Sequence, residues 1–236
     1  MVQLSDLVRC GPWEWQIPTT VRSDMRVPVR LFAGRGELAA IRGDSSLEQA
    51  INESTLPGVV GEVLVMPDVH QGYGFPIGGV AATALPSGVI SPGALGYDIN
   101  GGVRLLASRV EVGEARGVMN ELASALDAAC PSGVGTGGRV ALGDRDLERA
   151  CREGGVWACR EGYGTESDCA RTEEGGFLEG ADFSAVSRRA RHRGKPQMGT
   201  LGAGNHFIEV EVVDEIFDDR AARVMGLVVG CLTVMI

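Results

Sequence analysis

The sequence predicts an α+β fold, mixed sheets with packed helices, and three observations carry that expectation. Apolar, β-branched runs lie towards both ends of the chain, helical patterns gather at about residues 114–193, and no internal repeat is present. A doubly wound sheet would need strands alternating regularly with helices, and they do not.

Taken in order, residues 1–35 read as short strand and turn pieces punctuated by Pro18 and Pro28. Residues 45–55 fit a helix with Ser45 or Ser46 near its cap and Leu47, Ala50 and Ile51 on one face. The run from Val60 to Met66 predicts a strand stopped by Pro67, which delivers Asp68 and His70 at its end. A strand and turn follow over Gly78–Ala84 and Gly88–Ile90, then a strand over Val103–Val112. Residues 114–129 place Val118, Leu122, Ala125, Leu126 and Ala129 at helical spacing. A second helix fits 144–161, capped by Asp144, and a third fits about 182–193. Strands resume at His206–Val213 and Leu227–Ile236.

The 236 residues are 44% apolar and 22% charged, the profile of a folded, soluble chain. A formal net charge of −9 excludes global attraction to nucleic acid, so any RNA contact must be local or metal-mediated. Six cysteines, none in CxxC, fit free thiols in a reducing cytosol better than a zinc site or a disulfide framework. There is no signal-peptide pattern, and the longest apolar stretch, Val224–Ile236, is broken by glycines and too short to span a bilayer. A cytoplasmic protein without membrane contact is therefore expected. The 35 glycines cluster at 72–102, 133–143 and 194–204, as in loops that hold ligands or metals.

Three segments could carry chemistry. In MPDVHQGYGFPIGG (66–79), Asp68 and His70 share a strand face, which suits metal binding or proton transfer. A turn-capping Asp and a hydrogen-bonded His would fit equally. In SPGALGYDINGGVR (91–104), Asp98 among glycines is either a paired or coordinating acid or an Asx-turn. In GTLGAGNHFIEV (199–210), alternation sets His206 and Ile208 against Asn205, Phe207 and Glu209. That set could build a nucleotide pocket, or be an ordinary strand edge; it is not a P-loop, lacking GK[ST]. SGVGTGGR (132–139) fits a flexible loop better than a phosphate nest, and SRRARHRGK (187–195) a solvated basic helix end better than an RNA track.

Together and in this order, the three segments resemble the RtcB family of RNA ligases, with its PDVHxGxGxPIGG, GxDIxCGVR and G(S/T)LGxGNHFxE stretches. PSGVG, EEGG and RGKPQMGTLG look similar too, so the resemblance runs from about residue 25 to the last residue. It implies a single RtcB-like catalytic domain over 1–236. It also implies an enzyme that joins 2′,3′-cyclic phosphate or 3′-phosphate RNA ends to 5′-hydroxyl ends, in tRNA splicing or RNA repair. Such an enzyme uses GTP and two divalent metals, usually Mn²⁺, through a guanylated histidine. Carried over, Asp98 and His206 resemble ligands of one metal. Asn205, His206, Phe207, Ile208 and Glu209 resemble part of the guanosine nucleotide pocket. Asp68 and His70 resemble catalytic residues at the RNA end being activated.

Two departures qualify the expected activity. Gly101 stands where the family carries a metal-bridging cysteine. The family also continues beyond LTVMI236 with an HTGSRGLG segment, another metal-binding histidine, the guanylated histidine and a nucleotide-binding lysine. The chain thus reads as incomplete at its C-terminus and inactive alone, with another chain a candidate source of the missing half. The alternatives are a non-catalytic nucleotide or RNA-end binding module, and a metal-dependent phosphoesterase using Asp68, His70, Asp98 and His206.

Overall fold

A computed structural model describes residues 3–41, 43–94, 101–140 and 142–236. The chain divides into two compact units, Met1–Gly102 and Val103–Ile236. Both mix helices with sheets, as an α+β fold requires.

The first unit contains β1 (Val8–Arg9), β2 (Glu14–Ile17), β3 (Val29–Phe32), α1 (Arg35–Ile41), α2 (Ser46–Glu53), β4 (Val59–His70) and β5 (Ile77–Thr83). The strands form one sheet in chain order, antiparallel except for the parallel pair β3–β4. A parallel neighbour needs a crossover, and α1 and α2 lie in it. Alternation in β3 buries Val29 and Leu31 and turns Arg30 outward, where its guanidinium bonds Glu62 at 2.7 Å and Glu14 at 3.1 Å. Ile17, Val63 and Val65 join the core, against Leu47, Ala50 and Ile51 of α2 at the expected helical spacing. The helix start is held by Asp44, whose Oδ1 accepts from Ser46 N at 2.8 Å, and not by the Ser45 side chain.

The structure corrects the end of β4, which continues through Pro67 to His70. Pairing to β3 extends only to Val65, and the register to β5 shifts between Val65 and His70. Pro67 therefore stands where a missing N–H removes no ladder bond.

The second unit contains β6 (Leu105–Glu111), α3 (Val112–Ala115), α4 (Met119–Ala129), α5 (Asp144–Glu153), α6 (Gly155–Arg160), α7 (Glu166–Ala170), α8 (Arg188–Gly194), β7 (Glu209–Val212), α9 (Asp219–Met225) and β8 (Cys231–Met235). Its antiparallel sheet has the order β6–β8–β7.

Each expected helix here is subdivided. A 3₁₀ turn, Arg116–Val118, separates α3 from α4, since Val118 leaves helical geometry at φ −124°, ψ 15°. The helix expected over 144–161 breaks at Gly154 (φ +58°), and its N-cap is Gly143, not Asp144. The third becomes a 3₁₀ turn, Phe183–Ala185, followed by α8. The short helices α1, α7 and α9 were not expected. Two of them have local caps: Thr165 with Asp168 for α7, and Asp218 for α9. No described helix is long and apolar enough to cross a membrane.

Candidate functional site

The PDVH segment folds back on its own PIGG. Antiparallel pairing sets His70 opposite Ile77. A Cβ added at Gly78 would lie 2.8 Å from Asp68 Oδ1, and one at Gly79 2.8 Å from Glu53 Oε2. The two adjacent glycines thus leave room for two carboxylates. His70 Nδ1 lies 2.9 Å from the Asp68 carbonyl oxygen. A carbonyl only accepts, so Nδ1 carries the proton and Nε2 is the basic nitrogen. Asp68 and His70 do share a strand face, with Val69 buried between them.

Two residues that sequence reasoning missed anchor this turn. Gln49 donates to Gly72 O at 2.8 Å and accepts from Gly72 N at 2.9 Å. Asp44 Oδ2 accepts from Gln71 N at 3.0 Å. Burial alone would raise the Asp44 carboxyl, but hydrogen bonds from Ser46 and Gln71 and the nearby His70 hold it below the usual range. The available signal was a helix beginning at an Asp-Ser-Ser cap; its reach to residue 72 was not visible. Replacing Gln49 by Ala removes both bonds and is expected to cost about 1–2 kcal/mol, read as a lower urea midpoint. An unchanged midpoint would show that the turn is held otherwise.

In the second unit, two glycine-rich stretches pair backbone to backbone. Gly133 N donates to Gly202 O at 2.6 Å, Leu201 N to Pro131 O at 3.0 Å, and Gly138 N to Pro196 O at 2.7 Å. Residues 132–139 are therefore tied down, where a flexible loop was expected. The pairing seats His206: its ring lies 3.3 Å from where a Gly202 Cβ would be, and its Nδ1 is 2.8 Å from Ala203 O. His206, like His70, thus sets Nδ1 against a backbone carbonyl. Residues 205–208 precede β7 and are not strand, so the expected alternation does not govern them. Asn205 and His206 are exposed, Phe207 and Ile208 half-buried, and Glu209 opens β7 opposite Met235. Beside them Leu201, Ile208 and Val210 face Met119, Ala123 and Leu126 of α4 across an apolar groove of 370 Å³.

Asp98 lies outside the described residues. Gly101 has φ +53°, and a Cβ there would meet nothing within 4 Å. In the basic run, Arg191 stacks over Phe183 (4.1 Å to the ring centroid) and Lys195 pairs with Asp144. Those two cations serve the fold, as a helix end would. Among the described residues, no three His, Cys, Asp or Glu side chains gather into a metal-holding group. An imidazole with Nδ1–H held by a carbonyl nonetheless has the donor chemistry of a metal ligand, and both His70 and His206 are so held.

The family model described as tRNA-splicing ligase RtcB matches residues 49–236. The tRNA-splicing ligase RtcB of Archaeoglobus fulgidus is 48% identical over 230 residues, covering 98% of this chain and 48% of that protein. The protein of the same name from Thermococcus kodakarensis is 46% identical over 236 residues, 100% of this chain and 49% of its own length. That from Pyrobaculum aerophilum is 45% identical over 219 residues, 93% and 45% respectively. The chain spans about half the length of the curated relatives it matches.

Proposed function

The chain belongs to the RtcB family of tRNA-splicing ligases, and from that premise we propose that it furnishes the metal- and nucleotide-facing part of an RNA-ligase site. The reaction would join RNA ends bearing a 2′,3′-cyclic phosphate or 3′-phosphate to 5′-hydroxyl ends, with GTP and Mn²⁺, in tRNA splicing or RNA repair. The observation that carries the reading is the common geometry of His70 and His206, each with Nδ1 within hydrogen-bond distance of a backbone carbonyl.

In this reading His206, with Asp98, would hold Mn²⁺. The bound ion would supply a Lewis acid that neutralises phosphate oxygens. Asn205, Phe207, Ile208 and Glu209 would line the guanosine nucleotide, Phe207 offering a ring face and Asn205 an amide. Asp68 and His70 would orient or move a proton at the RNA end, His70 Nε2 being the acceptor. Gly101 supplies no thiolate, so the ligand set lacks the bridging anion of the family motif, and binding without completed ligation is the expected outcome.

Equilibrium dialysis of the chain with labelled GTP and Mn²⁺ tests this. Saturable, Mn²⁺-dependent binding is expected, weakened tenfold or more (about 1.4 kcal/mol) in His206→Ala. Equal affinity in the variant would sink the assignment of His206. A covalent protein–GMP band from the wild-type chain would overturn the absence of catalysis.

A further inference from the structure

We propose that Cys159 and Cys169 form a reversible dithiol–disulfide site, a role independent of the ligase reading. Cys159 lies near the end of α6 and Cys169 in α7, and their Sγ atoms stand 2.7 Å apart. A disulfide bond is about 2.05 Å long, so bonding asks for a shift well under 1 Å.

The approach is set by the backbone around the pair. Glu161 N and Gly162 N close the end of α6 on Trp157 O (3.0 Å) and Cys159 O (3.2 Å), and Tyr163 N bonds Ala158 O at 2.8 Å. Thr165 and Asp168 cap α7 reciprocally: Thr165 N donates to Asp168 Oδ2 at 2.7 Å, and Asp168 N to Thr165 Oγ1 at 3.4 Å. Gly164 keeps the turn open, since a Cβ there would lie 3.3 Å from Cys159 Sγ. Cys159 Sγ also lies 3.0 Å from Thr165 O. Both thiols are half-buried, within reach of a small-molecule disulfide. The hydrogen bond between the two sulfurs holds the Cys169 thiol above its usual range.

The oxidant is a low-molecular-weight disulfide of the glutathione class. One protein thiolate attacks a sulfur of that disulfide, whose S–S bond breaks and releases one small thiol. The second protein thiolate then attacks the mixed disulfide, the Cys159–Cys169 bond forms, and the second small thiol leaves. Two protein thiols are oxidised, one small disulfide is reduced, and the two protons pass to the departing thiolates.

The state of the pair reaches the glycine-rich motif. Thr172 Oγ1 donates to Asp168 O at 2.6 Å and accepts from Arg104 Nη1. Arg104 ends the GGVR segment, and its backbone bonds Ile236 at 2.8 and 2.9 Å. Bridging α6 to α7 therefore stiffens the element that holds Arg104.

The test equilibrates the full chain in glutathione buffers from reducing to oxidising, traps free thiols with iodoacetamide and maps peptides by mass spectrometry. Cys159 and Cys169 are expected to become joined to each other, with a loss of about 2 Da reversed by dithiothreitol, before any other cysteine oxidises. The melting temperature is expected to rise on oxidation in the wild type and not in Cys159→Ser or Cys169→Ser. Alkylation of both thiols under oxidising conditions, pairing with a different cysteine, or a stable mixed disulfide at equilibrium would overturn the proposal. So would an oxidation-linked rise in melting temperature that persists in both serine variants.

Discussion

At pH 8, Glu53→Gln is expected to stabilise the first unit by about 3 kcal/mol, and at pH 4 to change it little. Glu53 is only 4% exposed, on the inner side of α2, and its Oε2 has no hydrogen-bond partner among the described residues. Burial pushes its carboxyl up to about 7 from an ordinary 4.5. The folded state thus binds the proton more tightly than the unfolded chain, and stability falls as pH rises. Below about 4.5 both states are protonated and nothing is lost; between about 4.5 and 7 the loss grows, and above 7 it is complete. Glutamine keeps the shape without the charge, so urea unfolding of wild type and variant should converge in acid and separate in base. A separation that ignores pH would mean that the carboxylate finds a partner. The same carboxylate lies against Gly79 of β5, which pairs with β4, so alkaline pH should loosen the segment that carries Asp68 and His70.

Gly138→Ala is expected to cost the second unit about 3 kcal/mol and, on the proposed reading, to weaken GTP binding about tenfold. A Cβ at residue 138 falls on Met198 O and lies 3.2 Å from Thr200 Cγ2. A core side chain can rotate away from a new methyl group. A carbonyl held in paired backbone cannot, and Gly138 N is itself bonded to Pro196 O at 2.7 Å. The pairing must part, and with it the seat of the His206 ring. Gly137→Ala is the control, because its Cβ meets nothing within 4 Å and should change stability by less than about 0.5 kcal/mol. Equal losses in both variants would trace the effect to backbone entropy and not to contact.

Local patterns were legible in the sequence wherever local chemistry decides the structure. The apolar spacing of Leu47, Ala50 and Ile51 anticipated α2, and the β-branched run before Pro67 anticipated β4. What escaped depends on distant partners. Gly154 breaks a helix whose periodicity runs on, because Gly176 O lies where a side chain at 154 would be. Pro67 stays within a strand because β3 has already ended its pairing at Val65. The three motifs named the family on chemical identity alone. Which carboxylate lies over each glycine of PIGG, and which stretch seats the His206 ring, depends on how segments distant in sequence pack together. Asp98, on which the metal reading leans, lies outside the described residues.

The register of β6 has a consequence during synthesis. Glu111 pairs with Cys231, and Leu105 with Met235. At ribosomal speeds of about 5–20 residues per second, β6 waits about 6–24 s for its partner to emerge. Leu105, Leu106 and Val110 remain solvent-exposed even once the sheet has formed. The first sheet faces no such delay, since its strands pair in the order in which they are made. A nascent chain of this protein should therefore carry a folded first unit beside a bare apolar strand, an interval in which chaperone occupancy governs yield.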